Sequence, residues 1–583
     1  MAIATAWKAV TFTGLVGSSP TSSANTTYYR IDPSSCYYTM PSQSDQEHLS
    51  RLDACSASVI NSQSEKILIV AGPGAGKTTS FNKLLQNKGF SKERVLVLTF
   101  LVNLRNDLEK DLGEKSSVFT FHGYCHHLLR RFGILRGGLT DSFKYFPEIE
   151  NIIQEDWKVI HADKTPDFLS NFRSNLVNEH SKFYLERGNY YNSIGFDDSV
   201  FRVYHSLSKL QSSDLSYNLI LVDEFQDFNQ LEVDFVRSLS ARGPIVIAGD
   251  DDQALYQKMR LADPKHIQFL YLDPNYEKLP LPYCTRCTEV IVEATKDFVR
   301  KCEEGQILKD RIPRDFDYCP PIKRVDSEQY PFIEFVKTSV QTPRANYFGK
   351  YIEHQIRCIS DVDIRESREK GFLTALVISS NPFRRQIEDY LNSLNFDIQK
   401  NENEFESINR DVVLRNLRED PSSNLWWRLI LFFDKPKEWQ NIIKSSTSGE
   451  ALIDLISKDF QNAIMEEVKN ISEVESAERV AVSSDLSKPL VKITTFEGAK
   501  GLSAAHVFIA GMQNGTLPRD SINPTPIEVK KFLVALTRTR KHCHILYSKT
   551  VGGRYSSPSI FLNWIADNRK RNIDVNKQYF ENL

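Results

Sequence analysis

The sequence predicts an α/β protein with two parallel-sheet domains, each interrupted by a helical insertion. Short apolar runs recur between helical stretches, as the buried strands of parallel sheets do. Polar residues follow directly after several runs, where open α/β sheets bind their ligands. The first group of runs comprises residues 66–70, 94–100, 219–222 and 245–248, and the second comprises 372–378, 507–511 and 544–547.

Chain length supports this division, because 583 residues exceed what one hydrophobic core can organise. The predicted parts are a flexible or accessory N-terminus (1–48), a first domain (49–125 and 206–268) with a helical insertion (126–205), a second domain (269–402 and 491–565) with a short helical insertion (403–490), and a C-terminal tail (566–583). A cleaved targeting peptide is the alternative for the N-terminus, although the stretch after Lys8 is only weakly apolar.

Charge and cysteine content narrow the class of protein. The net charge is −2, so a nucleic-acid binder of this composition must gather its positive charge locally. The nine cysteines are spread along the chain, which is typical of a reduced intracellular protein, cytoplasmic if the source is bacterial. No apolar run reaches the length of about 18 residues that a membrane span needs, so we expect no membrane association.

A glycine-rich loop after the first apolar run predicts a triphosphate site. Its glycines let backbone N–H groups converge on phosphate oxygens, and the following helix offers its N-terminus to the anion. Lys77 supplies a charge for the β and γ phosphates, and the Thr78 hydroxyl is suited to Mg²⁺. The predicted nucleotide-binding residues are Ala71, Gly72, Pro73, Gly74, Ala75, Gly76, Lys77, Thr78 and Thr79.

Two adjacent carboxylates, Asp223 and Glu224, end the apolar run at 219–222. One carboxylate is suited to the Mg²⁺ shell, and the other is suited to accept a proton from an attacking water. A solvated pair of loop acids is the alternative, but an apolar strand leading into the pair favours the catalytic interpretation. We therefore predict Thr78 and Asp223 as metal ligands and Glu224 as the base.

Further motifs in the chain resemble those of the UvrD/Rep/PcrA-type superfamily 1 helicases. They occur in the order of that family, from the phosphate loop to residue 540. The matching strings are Thr99-Phe100, Thr120-Phe121-His122-Gly123, Val222-Asp223-Glu224-Phe225-Gln226-Asp227, Gly249-Asp250-Asp251-Asp252-Gln253-Ala254-Leu255-Tyr256, Tyr283-Cys284-Thr285-Arg286, Ala499-Lys500-Gly501-Leu502 and Ala535-Leu536-Thr537-Arg538-Thr539-Arg540.

The resemblance implies two RecA-like domains that hydrolyse ATP with Mg²⁺ in the cleft between them. By position, Gln253 would sense the γ-phosphate, and Gly501 would contact the nucleotide. Arg286 and Arg538 would act as arginine fingers supplied within the same chain. The resemblance also implies 3′-to-5′ movement on single-stranded DNA.

The same resemblance predicts the DNA contacts. Phe100 and Tyr256 look like aromatic side chains on which unpaired bases stack, a contact that tolerates any sequence. The full predicted set is Thr99, Phe100, Thr120, His122, Tyr256 and Arg260. The implied partners are single-stranded DNA, single-strand/double-strand junctions, and a nuclease, repair or defence protein.

The chain departs from the family pattern on the nucleoside side of the site. Ser56, Thr285 and Ser503 stand where the family has an adenine-reading Gln, an adenine-stacking Tyr and a ribose-contacting Glu. We therefore expect intact hydrolysis with relaxed or rebuilt base selectivity, so that other NTPs serve as well, with Tyr283 a candidate stacking residue. Glu497 replaces a His of the fifth motif and puts part of the DNA coupling in question.

Other interpretations stay open. A translocase subunit that unwinds poorly without a partner fits the short second insertion, and an RNA track is compatible with the same motifs. A nucleotide-gated DNA clamp that does not cycle is the rival from another class. Cys284 and Cys287 have the spacing of metal ligands, although small buried residues beside Arg286 are the preferred interpretation.

Overall fold

The computed structural model describes residues 43–100, 102–161, 163–211, 213–394, 396, 398–399, 408–471 and 487–582. The predicted N-terminal segment therefore lies almost wholly outside the described residues. The strands, in chain order, are β1 (Lys66–Ala71), β2 (Val95–Thr99), β3 (Ser117–Thr120), β4 (Lys144–Tyr145), β5 (Ser193–Ile194), β6 (Leu219–Val222), β7 (Ile245–Gly249), β8 (Glu277–Leu281), β9 (Tyr283–Cys284), β10 (Asp317–Tyr318), β11 (Ile333–Thr338), β12 (Leu373–Ser379), β13 (Val491–Thr494), β14 (Ala504–Ala510), β15 (Thr539–Ser548), β16 (Thr550–Val551), β17 (Arg554–Tyr555) and β18 (Lys570–Val575).

The helices surround these strands. In chain order they are α1 (Gln43–Asn61), α2 (Lys77–Lys88), α3 (Val102–Leu112), α4 (Phe121–Arg131), α5 (Ile149–His161), α6 (Phe168–Arg173), α7 (Glu179–Tyr190), α8 (Asp197–Ser206), α9 (Gln230–Ser240), α10 (Gln257–Arg260), α11 (Lys265–Leu272), α12 (Glu289–Glu304), α13 (Pro320–Gln329), α14 (Tyr347–Arg357), α15 (Asp361–Glu369), α16 (Asn381–Asn392), α17 (Arg410–Glu419), α18 (Asn424–Asp434), α19 (Trp439–Ser445), α20 (Leu452–Leu455), α21 (Lys458–Asn470), α22 (Pro526–Leu536) and α23 (Lys577–Glu581). Among the described residues, no helix combines the length and the apolar character that crossing a membrane requires.

Two six-stranded sheets organise the fold, and every strand pair in both is parallel. The first sheet has the order β3-β2-β6-β7-β1-β8, and the second has the order β13-β12-β14-β15-β11-β18. Numbered within its own sheet, each follows the order third, second, fourth, fifth, first, sixth. The two sheets thus share one topology, and the predicted class of two RecA-like α/β domains is confirmed.

The edges of both sheets differ from the predicted divisions. Residues 277–281 were expected in the second domain, but they form β8 and pair with β1 at the edge of the first sheet. Residues 570–575, expected in a C-terminal tail, form β18 and pair with β11. Both are edge strands with charged or prolyl residues, so they lack the continuous apolar run that marks a central strand.

Both faces of each sheet are buried, as helix-covered parallel sheets require. One face of the first sheet packs against α2 and α3. The other face belongs to a core that continues through α4–α9 and on into α17–α21. Helices α17–α21, which interrupt the second domain in sequence, therefore share their hydrophobic core with the first domain. Trp426 and Trp427 are buried in this core, so they pack helices and present no face for stacking on DNA.

A buried charge cluster joins α18 to α5 and α7. The Asp156 carboxylate accepts hydrogen bonds from Arg428 Nε at 2.8 Å, Arg187 Nε at 2.8 Å and the Tyr191 hydroxyl at 2.6 Å. Arg187 also donates to Ser446 Oγ at 3.0 Å. The side chains of Asp156 and Arg428 are both fully buried. Tyr191 therefore serves this contact between helices.

Removing Arg428 should destabilise the contact strongly, because Asp156 would keep a buried charge with less compensation. We expect Arg428→Ala to lower the free energy of unfolding of these helices by about 3–5 kcal/mol. Arg410 is a matched control on α17, since it pairs with Asp434 near the surface and Arg410→Ala should cost about 0–1 kcal/mol. Urea unfolding of both variants tests this, and equal midpoints would contradict the expectation.

Candidate nucleotide-binding cleft

The phosphate loop connects β1 to α2, and its shape depends on glycine. Gly74 and Gly76 have φ values of 70° and 85°, the left-handed region that other residues rarely adopt. A Cβ atom on Gly74 would also lie 2.4 Å from Arg286 Cβ, so no side chain fits there. Lys77 begins α2 directly after the loop. The loop is therefore held open for an anion and lies against the segment that carries Arg286.

Glu224 and Lys77 form a buried ion pair at the end of β6. The Lys77 Nζ to Glu224 Oε1 distance is 2.8 Å, and Gln226 Nε2 donates to Glu224 Oε2 at 2.5 Å. Glu224 has a φ of 54°, an unusual conformation for a residue with a side chain. Burial favours the neutral form, but Lys77 and Lys500 outweigh it and hold the pKa of Glu224 well below its usual value. Burial raises the pKa of the neighbouring Asp223.

Lys500 reaches this pair from the second domain. Its ammonium group donates to the Gln253 carbonyl oxygen at 2.6 Å and forms an ion pair with Asp227. It also lies 3.9 Å from Glu224 Oε2. One side chain of the second domain thus contacts the residues that follow two different strands of the first sheet.

Gln253 and Arg538 make the second bridge across the cleft. Arg538 Nη2 donates to Gln253 Oε1 at 2.8 Å, while Gln253 Nε2 donates to Asp250 Oδ2 at 2.7 Å. The Gln253 amide is therefore oriented from both ends. Burial, with the nearby charge of Arg286, lowers the pKa of Arg538 to about 10, so the guanidinium stays charged at neutral pH.

A cavity of about 310 Å³ lies between these groups. Its lining contains all six residues predicted to be catalytic, together with the loop from Gly72 to Thr79 and Gly501. Ala71 is the exception, since it is buried as the last residue of β1. The cavity combines cationic side chains with the oxygen atoms of Thr78 and Asp223, a set that fits a triphosphate with Mg²⁺.

Arg314 stabilises the carboxylates that follow β7 at the same site. Its guanidinium forms ion pairs with the carboxylates of Asp250, Asp251 and Asp252, and Arg311 Nε adds a contact to Asp252 at 2.8 Å. Three adjacent buried carboxylates would repel each other without these cations. Because Asp250 also receives the Gln253 amide, Arg314 helps to fix the position of Gln253.

Two of the three substituted nucleoside contacts have other partners. The Thr285 backbone N–H and its hydroxyl both donate to the Gly74 carbonyl oxygen, each at 3.0 Å. Ser503 Oγ accepts from Arg540 Nε at 2.9 Å, and Arg540 lines the cavity. Tyr283 lies in the short β9–β10 pair and is absent from the cavity lining. Of these side chains, Arg540 lines the cavity and Tyr283 does not.

Three of the predicted DNA contacts form one cluster. The Phe100 and Tyr256 rings lie 5.5 Å apart, and the Arg260 guanidinium covers Phe100 at 4.2 Å from the ring centre. Phe100 is only 8% exposed, so a base can stack on it only if a neighbour moves. His122 is also buried, which lowers its pKa to about 3 and keeps the ring neutral.

The other two predicted contacts lie at the ends of neighbouring strands. Thr99 and Thr120 are register partners on β2 and β3. Thr120 Oγ1 accepts from the Gly123 N–H at 3.1 Å and so caps α4. The hydroxyl of Thr99 is buried at the end of its strand. The DNA-binding assignment of all six residues stays a prediction.

Three residues of the cleft were not predicted. Lys500 lies inside the string that resembles the fifth motif, so the sequence did contain a signal for this residue. Arg540 lies two residues beyond Arg538 in the same motif, on β15. Arg314 has no local signal, since its contacts lie more than sixty residues away and arise only from the fold.

Together the paired sheets, the phosphate loop and the cleft residues define a two-domain P-loop nucleotide-binding protein. An AAA domain profile matches residues 56–258. A probable DNA helicase II homologue from Mycoplasma genitalium is 21% identical over 87% of this chain and 86% of its own length. The ATP-dependent DNA helicase PcrA from Staphylococcus aureus is 22% identical over 88% and 86%. UvrD1 from Mycobacterium tuberculosis is 26% identical, over 45% and 40%. The chain is thus similar, over most of its length, to DNA helicases of the UvrD and PcrA type.

Proposed function

We propose that the chain hydrolyses ATP with Mg²⁺ in the cleft between its two RecA-like domains and uses the energy to move along single-stranded DNA in the 3′-to-5′ direction. The observation that carries the proposal is the convergence of Lys77, Glu224, Gln253 and Arg538 on one cavity. A phosphate loop alone would support binding only. Cations from both domains around one carboxylate support hydrolysis.

Each of these residues would have a separate role in the proposed reaction. Lys77 and the loop N–H groups would hold the phosphates, and Thr78 and Asp223 would ligate Mg²⁺. Glu224 is ionised in its ion pair and would accept the proton of the attacking water once the triphosphate draws Lys77 away. Arg286 and Arg538 would neutralise charge that develops on the transferred phosphoryl group.

Coupling to DNA is supported by the short path from Gln253 to the aromatic cluster. Tyr256 follows Gln253 by three residues, and Lys500, which donates to the Gln253 carbonyl, also lies 5.6 Å from the Tyr256 ring centre. A change in nucleotide state at Gln253 would therefore displace groups that contact Tyr256. Such displacement at a base-stacking residue is what a translocating motor requires.

We expect single-stranded DNA to stimulate ATP hydrolysis more than duplex DNA does, because the aromatic cluster suits unpaired bases, and single-stranded RNA is compared as the alternative track. Unwinding should be seen with 3′-tailed duplexes and be absent with 5′-tailed ones. Lys77→Ala is the control and should abolish hydrolysis on every substrate. If ATP turnover is the same with and without each of the three nucleic acids, the proposal of a nucleic-acid motor is wrong. If RNA stimulates hydrolysis more than DNA does, RNA is the strand along which the protein moves.

The nucleotide preference of the chain tests the effect of the residues that replace the family's nucleoside contacts. We expect ATP, GTP, CTP and UTP to be hydrolysed within about tenfold of each other, because the family's adenine contacts are replaced and one lost polar contact is worth about 1.4 kcal/mol. The comparison uses equal concentrations below KM. Arg540→Gln should shift the ranking while leaving kcat for ATP nearly unchanged. A strict preference for ATP would contradict rebuilt selectivity.

A partner-dependent translocase is the second candidate. It is favoured by the placement of α17–α21, which are packed into the core of the first domain and joined to it by the Asp156–Arg428 pair. Helices buried in this way leave less surface for duplex DNA. Weak unwinding alone, with DNA-stimulated hydrolysis intact, is the result that would distinguish this candidate.

A further inference from the structure

Three histidines lie together on the second sheet, away from the nucleotide cleft. His506 on β14 is the register partner of His542 on β15, and His544 follows two residues later on the same face of that strand. One ligand atom from each ring lies within 4.8 Å of those of the other two. Adjacent parallel strands thus hold three imidazoles in a small volume.

Each ring is oriented by a hydrogen bond through one nitrogen. His506 Nε2 contacts Asp363 Oδ2 at 3.2 Å, and His542 Nε2 contacts Glu334 Oε1 at 3.1 Å. His544 Nδ1 contacts the Tyr351 hydroxyl at 3.1 Å. The opposite nitrogen of each ring is then the one that a metal would take. Carboxylates that receive the outer N–H of metal-bound histidines are the usual second layer of such sites.

The cluster is shielded from bulk water. His506 and His544 are 5% and 1% exposed. Asp363 and Glu334 bring negative charge, which Lys541 and Arg571 partly offset through ion pairs with them. Tyr330 stacks on His542 with ring centres 4.7 Å apart and covers one side. The side chain of His542 is 13% exposed and gives an ion a way in.

We propose that His506, His542 and His544 bind a transition-metal ion of the Zn²⁺ type, with a water molecule as the fourth ligand. Neutral imidazole nitrogens are the ligands that Zn²⁺, Co²⁺ and Ni²⁺ share. Tetrahedral Zn²⁺ with bonds of about 2.0–2.1 Å places its ligands about 3.3 Å apart, so small side-chain rotations would close the site. The other described group of three ligands, Asp250, Asp251 and Asp252, is already neutralised by Arg314.

The metal would join β14 to β15, and β15 is close in sequence to a residue that lines the nucleotide cleft. β15 begins at Thr539, directly after Arg538, and His542 lies four residues beyond that arginine. A bound ion would therefore stabilise the strand that positions Arg538. The site is separate from the Mg²⁺ that we propose for the nucleotide, because its ligands are nitrogen atoms on another sheet.

Co²⁺ titration of the full-length protein tests the site directly, with excess Mg²⁺ present to saturate oxygen-ligand sites. Binding should show the intense visible absorption of tetrahedral Co²⁺, at about one ion per chain, and Zn²⁺ should displace it and raise the melting temperature. His542→Gln should lose the absorption and the thermal shift. The variant should keep its far-UV circular dichroism, because His542 is the most exposed of the three.

A cysteine–histidine pair at the C-terminal end of α14 provides the control. Cys358 Sγ and His354 Nε2 lie 3.6 Å apart, and both are ligand types for Zn²⁺. Cys358→Ser should leave the absorption unchanged. If Cys358→Ser removes the signal, or if His542→Gln retains it, the proposal is wrong. His544→Gln provides a second test. In this variant, the metal content measured after dialysis should fall from about one ion per chain to none.

Discussion

A Glu224→Gln variant is expected to bind ATP but to hydrolyse it at least about 100-fold more slowly, since general-base catalysis contributes 10²–10⁴-fold. The substitution keeps the shape of the side chain and removes its ability to take a proton. ATP binding should persist because Lys77 and the loop N–H groups remain. Single-turnover hydrolysis with saturating single-stranded DNA, together with binding of a fluorescent ATP analogue, measures the two effects separately.

The position of Glu224 explains why this carboxylate, and not its neighbour, should be the base. Glu224 is held ionised by Lys77 and Lys500, whereas burial raises the pKa of Asp223 and suits it to a metal ion that would restore its charge. Glu304→Gln, on an exposed part of α12, is the matched control and should leave the rate unchanged. If Glu224→Gln hydrolyses ATP at a rate within threefold of the unsubstituted protein, another residue is the general base.

Replacing Arg538 should have a comparable effect on the chemical step. Arginine fingers contribute about 10³–10⁵-fold to phosphoryl transfer, so we expect Arg538→Ala to reduce kcat at least about 1,000-fold. Arg538→Lys should restore little of that loss. The guanidinium donates to Val534 O, Leu502 O and Gln253 Oε1 at 3.0, 3.3 and 2.8 Å, and an ammonium group cannot span those three acceptors.

The measurement separates kcat from KM and includes Arg540→Lys as control. Arg540 lines the same cavity but is bound to Ser503, so its substitution should change KM more than kcat. Loss of kcat in Arg538→Ala with ATP affinity preserved would support a role in the transition state. A change confined to KM would reduce Arg538 to a binding residue.

Much of the fold was predictable because central parallel strands are continuous apolar runs. The runs at 66–70, 219–222 and 245–248 correspond to β1, β6 and β7. The edge strands β8 and β18 were missed since an edge position tolerates charge, as Lys570-Arg571-Asn572 shows. The central strand β11 was also missed, because Glu334 and Lys337 interrupt its apolar run. The shared strand order of the two sheets cannot be seen in any local pattern of the sequence, because it depends on which distant strands pair.

The nucleotide site was predictable where a backbone shape dictates residue type. Gly74 and Gly76 are required by their dihedral angles, and Lys77 and Glu224 follow fixed elements of the motif. Arg314 and the three histidines were not predictable in role, since their partners come from distant segments. Lys570 and Arg571 illustrate the same limit, because nothing local indicates that this strand neighbours Glu334.

The identical order of the two sheets has a consequence for assembly. In many nucleotide-driven machines, one subunit carries the phosphate loop and its neighbour supplies the arginine, so no subunit is active alone. Here the second sheet takes the place of that neighbour: it has the same topology, and the strand and helix around it carry Lys500 and Arg538 to the loop of the first. The chain thus places both halves of this arrangement in a single polypeptide.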